Sequence, residues 1–324
     1  MTIRQLTRAT VVVVATGLAL AACGGSDDSG SGGGEGGEAV SGAVVIDGSS
    51  TVEPLSSAAA ELFMGENPDA NVTVGTSGTG GGFKKFCAGE TDISDASRPI
   101  SDEEIAICEE HNIAYTELLV ANDALSVVVN KENDWAECLT VEQLNKMWAP
   151  DSTVKNWNEV DPSFPNEPLE LFGAGSDSGT FDYFTGAING EEGASRTDYK
   201  PTEDDNVTVT GVAGTKGALG YFGFSYLEEN TDKIKAVKID GGDGCVEPAA
   251  KTAQDGTYKP LARPLFIYVS DAGLKKPQVL AFAEFYLEEN KSIVEAAKFI
   301  TLTDEQVKTA QDELADLKAK VGAK

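Results

Sequence analysis

Three short stretches hold the residues best suited to chemistry: Gly48-Ser49-Ser50-Thr51, Ser77-Gly78-Thr79-Gly80 and Ser176-Asp177-Ser178-Gly179-Thr180. Each joins hydroxyl donors to glycines at the end of an apolar run, with a helix-forming run behind it. A helix start leaves backbone N–H groups unpaired and about half a positive charge from the aligned peptide dipoles. One such turn is an ordinary capped helix. Three of them, far apart in the chain, point to a pocket for a small oxyanion. Covalent catalysis fits poorly. Ser178 as a nucleophile would need a positioned base, and the only histidine, His111, lies in the acidic stretch Glu109-Glu110-His111-Asn112. Asp177 stands at the centre of Gly175 to Gly179, so the turn is no nucleophile elbow. Gly78-Thr79-Gly80-Gly81-Gly82 lacks the Gly-Lys-Ser/Thr ending of a nucleotide phosphate loop, although Lys84 and Lys85 follow it. The reading is therefore a binding site, without catalytic residues, cofactor or metal.

The elements that must position these turns alternate along the chain. Ala43 to Ile46, Val72 to Val74, Leu125 to Val129, Leu169 to Phe172, Ala218 to Phe224 and Leu265 to Val269 read as strands. Helices are expected over Glu53–Met64, with Pro54 in the first turn, and over Phe83–Cys87. Ser101-Asp102-Glu103-Glu104, Thr140-Val141-Glu142-Gln143 and Thr303-Asp304-Glu305-Gln306 are capping boxes opening further helices. Such alternation predicts an α/β fold with mixed, largely parallel sheets. Breaks at Asn122-Asp123 and Lys259-Pro260 are the expected crossovers between two lobes. One lobe then comprises residues 43–122 and 261–324, the other residues 123–260.

The N-terminus reads as a targeting segment. Arg4 and Arg8 precede an apolar run that ends in Leu20-Ala21-Ala22-Cys23. The run is too short for an ordinary spanning helix and closes on small residues, as a secretory signal does. Residues 1–22 are read as the signal. Cys23 stands where a lipobox cysteine stands and is expected to be lipidated. Residues 23–42 then form a tether of Gly, Ser, Asp and Glu that cannot bury apolar surface, with a reach of roughly 25 Å as a flexible coil. The formal charge of −28 becomes −30 once Arg4 and Arg8 leave with the signal. A surface this acidic repels nucleic acid and anionic lipid, leaving the lipid anchor as the only membrane contact. It also demands that local dipoles hold any anionic ligand against the global field. Cys87, Cys108, Cys138 and Cys245 form an even set in an exported chain, which favours disulfides; three pairings are possible, and Cys87–Cys108 with Cys138–Cys245 is preferred. Zinc is disfavoured by the lack of Cys-x-x-Cys spacing and the single histidine.

Taken in order, four segments resemble the phosphate-binding proteins of high-affinity, Pst-type bacterial phosphate ABC importers. They are Asp47 to Pro54, Gly75 to Phe83, Thr91 to Ile100 and Gly175 to Phe184; Gly217 to Phe222 adds a fifth match. The resemblance implies a two-lobed, type II periplasmic-binding-protein-like fold that closes on orthophosphate without covalent chemistry. It implies a membrane permease as partner and an exported, monomeric chain at the outer face of the cytoplasmic membrane or in the periplasm. Carried over by position, Ser50, Thr51 and the Val52 amide meet the ligand from the first turn, Ser77 from the second, and Ser178, Gly179 and Thr180 from the third. Two positions depart from the best-known branch of the family. Ala174 stands where that branch has an arginine, and Ser97 where it has an aspartate, followed here by Arg98. Arg98 is inferred to supply the counter-charge, because a guanidinium suits two phosphate oxygens. The missing aspartate bears on selectivity: phosphate near neutral pH carries a proton that a buried acceptor can take, and sulfate does not. Asp95, Asp177 and Asp182 are candidate acceptors, with Asp177 favoured for its place inside the third turn. Sulfate, molybdate or another oxyanion in the same fold is the alternative.

Overall fold

The computed structural model describes residues 40–176 and 178–323. The signal, the tether up to residue 39, the lipidation site Cys23 and the candidate acceptor Asp177 lie outside the described residues. From the start of the described chain run β1 (Gly42–Gly48), α1 (Glu53–Glu66), β2 (Ala70–Gly75), α2 (Thr79–Cys87), β3 (Ile93–Ala96), α3 (Asp102–Glu110) and the 16-residue β4 (Tyr115–Asn130). There follow β5 (Cys138–Thr140), α4 (Val141–Trp148), α5 (Trp157–Val160), β6 (Glu170–Ala174), α6 (Gly179–Asn189), β7 (Lys200–Thr202), α7 (Asp205–Gly214), β8 (Ala218–Gly223) and α8 (Phe224–Glu229). The chain continues through β9 (Ile234–Ala236), β10 (Lys238–Asp240), β11 (Cys245–Val246), α9 (Ala250–Gln254) and β12 (Ala262–Ser270). It ends with α10 (Asp271–Leu274), α11 (Pro277–Glu288), α12 (Asn290–Ala296) and α13 (Asp304–Val321).

The main sheet runs in the order β2-β1-β3-β12-β4-β8-β6-β7, with β9 also on β4. Its wings are parallel: β1 pairs with β2 and β3, and β6 with β7 and β8. The pairs around the centre are antiparallel, β12 with β3 and β4, and β4 with β8 and β9. This is the mixed α/β class expected from the alternation of elements. The sequence placed a strand only over Leu125–Val129. In the structure β4 begins ten residues earlier, because its first half pairs with β12 and its second half with β8.

Burial follows that division. One core gathers Val44, Leu55, Phe63, Ile267, Phe282 and Tyr286 beneath α1, α11 and α13, with Phe83, Phe86 and Tyr268 packed alongside. The other gathers Trp148, Trp157, Phe184, Tyr221 and Tyr258. There the Phe184 and Tyr221 rings stack at 3.8 Å and Trp148 meets both edge-on. Each large buried aromatic contributes roughly 2–3 kcal/mol of apolar transfer. Ser101, Thr140 and Thr303 cap α3, α4 and α13 in the boxes read from the sequence. Helix α2 starts at Thr79 rather than Phe83. Glycine is a poor helix former, yet a Cβ at Gly82 would stand 2.5 Å from the Gly48 Cα. The glycine run is what lets α2 lie against the first turn. Among the described residues no helix is long and apolar enough to cross a membrane, and no His/Cys/Asp/Glu cluster could hold a metal.

Disulfides join Cys87 to Cys108 and Cys138 to Cys245, the preferred pairing. The first ties the end of α2 to α3, and the second ties β5 to β11. Because the second spans 107 residues, replacing both its cysteines by serine is expected to lower unfolding free energy by about 2–5 kcal/mol. Chemical denaturation of the variant against the parent measures this, and the Cys87–Cys108 variant should lose less.

Candidate functional site

The first turn is built on the neighbouring strand, β3. Ser49 N–H donates to the Asp95 carbonyl at 2.9 Å. Gly48 has φ 152°, and a Cβ there would stand 2.1 Å from that carbonyl oxygen, so only glycine fits. Ser49 Oγ accepts from Thr51 N–H at 3.2 Å, and the Ser49 carbonyl accepts the Val52 and Glu53 amides at 3.1 and 3.0 Å. Ser50 and Thr51 thereby face a cleft. Val52 does not: its amide is held by Ser49 and its side chain is fully buried in the core.

The second turn leans on Asp47. Ser77 donates both its amide, at 3.2 Å, and its hydroxyl to that carboxylate, which also accepts from Lys85 Nζ at 2.6 Å. Burial would raise the Asp47 pKa; the bonds from Lys85 and Ser77 outweigh it and hold the group below the usual carboxylate range. Ser77, Gly78 and Thr79 line the cleft together with Ser97. Thr79 Oγ1 accepts from the Ser97 amide at 3.2 Å and meets the Ser97 hydroxyl at 3.1 Å.

The third turn opens α6. Ser178 Oγ caps the helix by accepting from Thr180 N–H at 3.2 Å. A Cβ on Gly179 would fall 2.9 Å from Thr51 Oγ1 and 3.4 Å from Ser50 Oγ. The first and third turns are therefore in contact, although more than a hundred residues separate them. The main cleft, about 620 Å³, is bounded by Ser50, Thr51, Ser77, Ser97, Gly179 and Arg263. Ser178 and Thr180 line a smaller adjoining cavity of about 260 Å³, which shares Ser50, Thr51 and Gly179 as a common wall.

Charge is arranged differently from the sequence expectation. Arg98 borders the cleft, but its two terminal nitrogens each donate to Glu104 at 2.8 Å. Glu104 is the carboxylate that completes the α3 capping box. The cation on the first turn is Arg263, at the start of β12. Its Nη2 donates to Thr51 Oγ1 at 2.9 Å and its Nε to Asp123 at 3.2 Å, while its Cζ lies 3.6 Å over the Tyr183 ring. Arg263 and Asp123 face each other in the β12–β4 ladder; Asp123 stands in one expected break and Arg263 three residues after the other. A charged residue at the head of an apolar strand, beside a crossover, was the available signal for Arg263. Burial raises the Asp123 pKa, with Arg263 opposing.

The candidate proton acceptors separate. Asp182, on the first turn of α6, lines the cleft; burial raises its pKa and Arg263 opposes. Asp95 stands behind the first turn with no exposed surface. Its Oδ1 accepts from Ser56 Oγ at 2.8 Å, and Ser56 Oγ meets Tyr286 OH at 3.4 Å. Its Oδ2 is buried without a partner. Burial pushes the Asp95 pKa up to about 7, against the Ser56 hydrogen bond and with help from Glu53 and Asp47.

Comparison with known proteins gives a consistent picture. Residues 33–290 match the PBP superfamily domain. The chain is 41% identical over 310 residues to the phosphate-binding protein PstS of Staphylococcus haemolyticus, covering 94% of each. It is 49% identical over 262 residues to protein SphX of Synechococcus elongatus, covering 80% of this chain and 77% of that one. A crystal structure of a possible phosphate binding protein from Planctomyces limnophilus superposes with a TM-score of 0.83 at 51% identity, covering 86% of this chain and 99% of that one.

Two outcomes follow from this geometry. Gly179→Val should fold with unchanged thermal stability, within about 1 kcal/mol, yet hold the first and third turns apart; small-angle scattering would show a more open particle and ligand affinity would fall. Asp95 sets a pH dependence. Its carboxyl keeps a proton when folded that it loses near pH 4 when unfolded, so the unfolded state binds fewer protons between pH 4 and 7. Stability then falls as pH rises through that window and stays low above it, by up to roughly 4 kcal/mol. Asp95→Asn should match the parent near pH 4 and melt at higher temperature at pH 8.

Proposed function

The chain belongs to the PBP superfamily and groups by sequence with the PstS phosphate-binding proteins, and from that premise we propose that it captures inorganic phosphate and delivers it to the membrane permease of an ABC importer. The observation that carries this reading is the meeting of Gly179 with Ser50 and Thr51 beside Arg263. Two helix starts and their hydroxyls converge there from opposite sides, which suits a tetrahedral anion. Thr51 accepts a hydrogen bond from Arg263 and keeps its own O–H to donate. Thr79 and Ser97 add hydroxyls from the other wall. Arg263 is already balanced by Asp123, so the anion meets dipoles and one paired guanidinium rather than several bare cations. That solves the problem posed by a formal charge of −28: attraction is local and short-ranged.

Within this reading, Arg263 is the cation at the ligand. Arg98, held by Glu104, has the secondary place, and Val52 serves the core. Asp182 is the carboxylate positioned to accept the proton of hydrogen phosphate and to repel sulfate. Residues 43–122 with 261–324 form one lobe and residues 123–260 the other; the two cores divide near those boundaries, and the lobes close about β4 and β12. A signal over residues 1–22, a lipid on Cys23 and a tether that ends where β1 begins at Gly42 would hold a monomer outside the cytoplasmic membrane.

Calorimetric titration of the purified full-length chain tests the proposal. Phosphate should bind and sulfate should give no heat; equal binding of both would favour the broader oxyanion reading, and no phosphate heat would overturn the function. Arg263→Gln should weaken phosphate at least tenfold, about 1.4 kcal/mol or more, and Arg98→Ala less than threefold. The reverse order would return the counter-charge to Arg98.

A further inference from the structure

A buried acid that no ion pair explains lies under the anion-binding turn. Asp95 has no exposed surface, and its Oδ2 has no partner. The groups facing it are not cations. Glu53 faces it from the start of α1, Asp47 from β1, itself bonded to Lys85 of α2, and Tyr286 from α11 through Ser56. Among the described residues no lysine or arginine pairs with the Asp95 carboxylate. Yet its backbone is part of the binding turn, since its carbonyl holds Ser49 N–H and presses on Gly48.

We propose that Asp95 is the positioning residue of the first donor turn and that anion capture in the cleft draws one solvent proton onto its carboxyl. The proposal rests on the phosphate reading and deepens it.

The physical ground is repulsion at short range with little water between. A carboxylate fixed by its own main chain to the turn that receives an anion must either repel that anion or lose its charge. Neutralisation is the easier course here, because the group stands in a low-dielectric setting among other acids. Its near-neutral proton affinity agrees with this. The hydroxyl chain accommodates both states. With Asp95 ionised, Ser56 donates to it. With Asp95 protonated, a new O–H bond on the carboxyl can donate to Ser56 Oγ, whose own proton turns toward Tyr286 OH. The proton comes from water or buffer, and no other bond is made or broken. Asp95 touches neither the cleft nor the ligand; it acts through Gly48 and Ser49. Thermodynamic reciprocity then requires that phosphate affinity fall as Asp95 ionises.

The test is calorimetry of phosphate binding to the full-length chain and to Asp95→Asn, in buffers of different ionisation enthalpy, from pH 5.5 to 9. Phosphate's own titration is common to both proteins and cancels in the comparison. The parent should take up roughly 0.4 proton more per phosphate than Asp95→Asn near pH 7, for a ligand that raises the carboxyl's proton affinity tenfold. The ratio of parent to variant affinity should be flat below pH 6 and fall up to about tenfold by pH 9. Infrared difference spectra of the parent at pH 7.5 supply a readout that does not depend on the variant folding. Phosphate should bring up the C=O stretch of a protonated carboxyl, absent in Asp95→Asn. Binding with a flat affinity ratio, equal proton uptake or no carboxyl band overturns this role for Asp95 alone. No binding to either protein overturns the phosphate reading and this proposal with it.

Discussion

The pairing of Arg263 with Asp123 ties the β12–β4 ladder to the first turn and to the helix behind the third. It sits where β12 and β4 pass each other, at the boundary between the two cores. Neither side chain has much solvent, with side-chain exposures of 13% and 8%. Two largely desolvated charges are tolerable only because each satisfies the other and because Arg263 finds further partners in Thr51 and the Tyr183 ring. One guanidinium thus touches the first turn, a crossover strand and the third-turn helix. Removing it would leave Asp123 buried without its counter-charge and Thr51 Oγ1 without that donor.

Much of this fold was legible because it rests on local rules. Capping boxes at Ser101, Thr140 and Thr303 fix helix starts through bonds only three residues long. Apolar runs such as Leu265–Val269 declare buried strands. The parts not legible depend on partners distant in sequence. The first half of β4 gives little sign of being a strand until β12 lies beside it. The helical start of α2 contradicts glycine propensity and is set by the approach of Gly82 to Gly48.

The same distinction runs through the site. Ser50, Thr51, Ser77 and Gly179 were visible from composition and order, and the structure places them at one cleft. Whether a given amide or guanidinium is available is decided by its neighbours. Val52 is claimed by Ser49 and Arg98 by Glu104. Arg263 was hidden because a cation at the edge of an apolar strand has no motif of its own; its meaning comes from Asp123, 140 positions earlier.

The shared strand β4 has a consequence for how the molecule can vary. Its first half belongs to one sheet region and its second half to the other, without an intervening loop. Side chains on a strand alternate between faces, so one residue gained or lost between Ala121 and Ala124 would invert every position downstream. Asp123 would turn from its arginine, and Val127 to Val129, all fully buried, would each be forced to the opposite face of the sheet. Loops elsewhere can lengthen or shorten, but the spacing across this junction is a ruler that both halves read, and bending there has to be spread as twist along an unbroken ribbon.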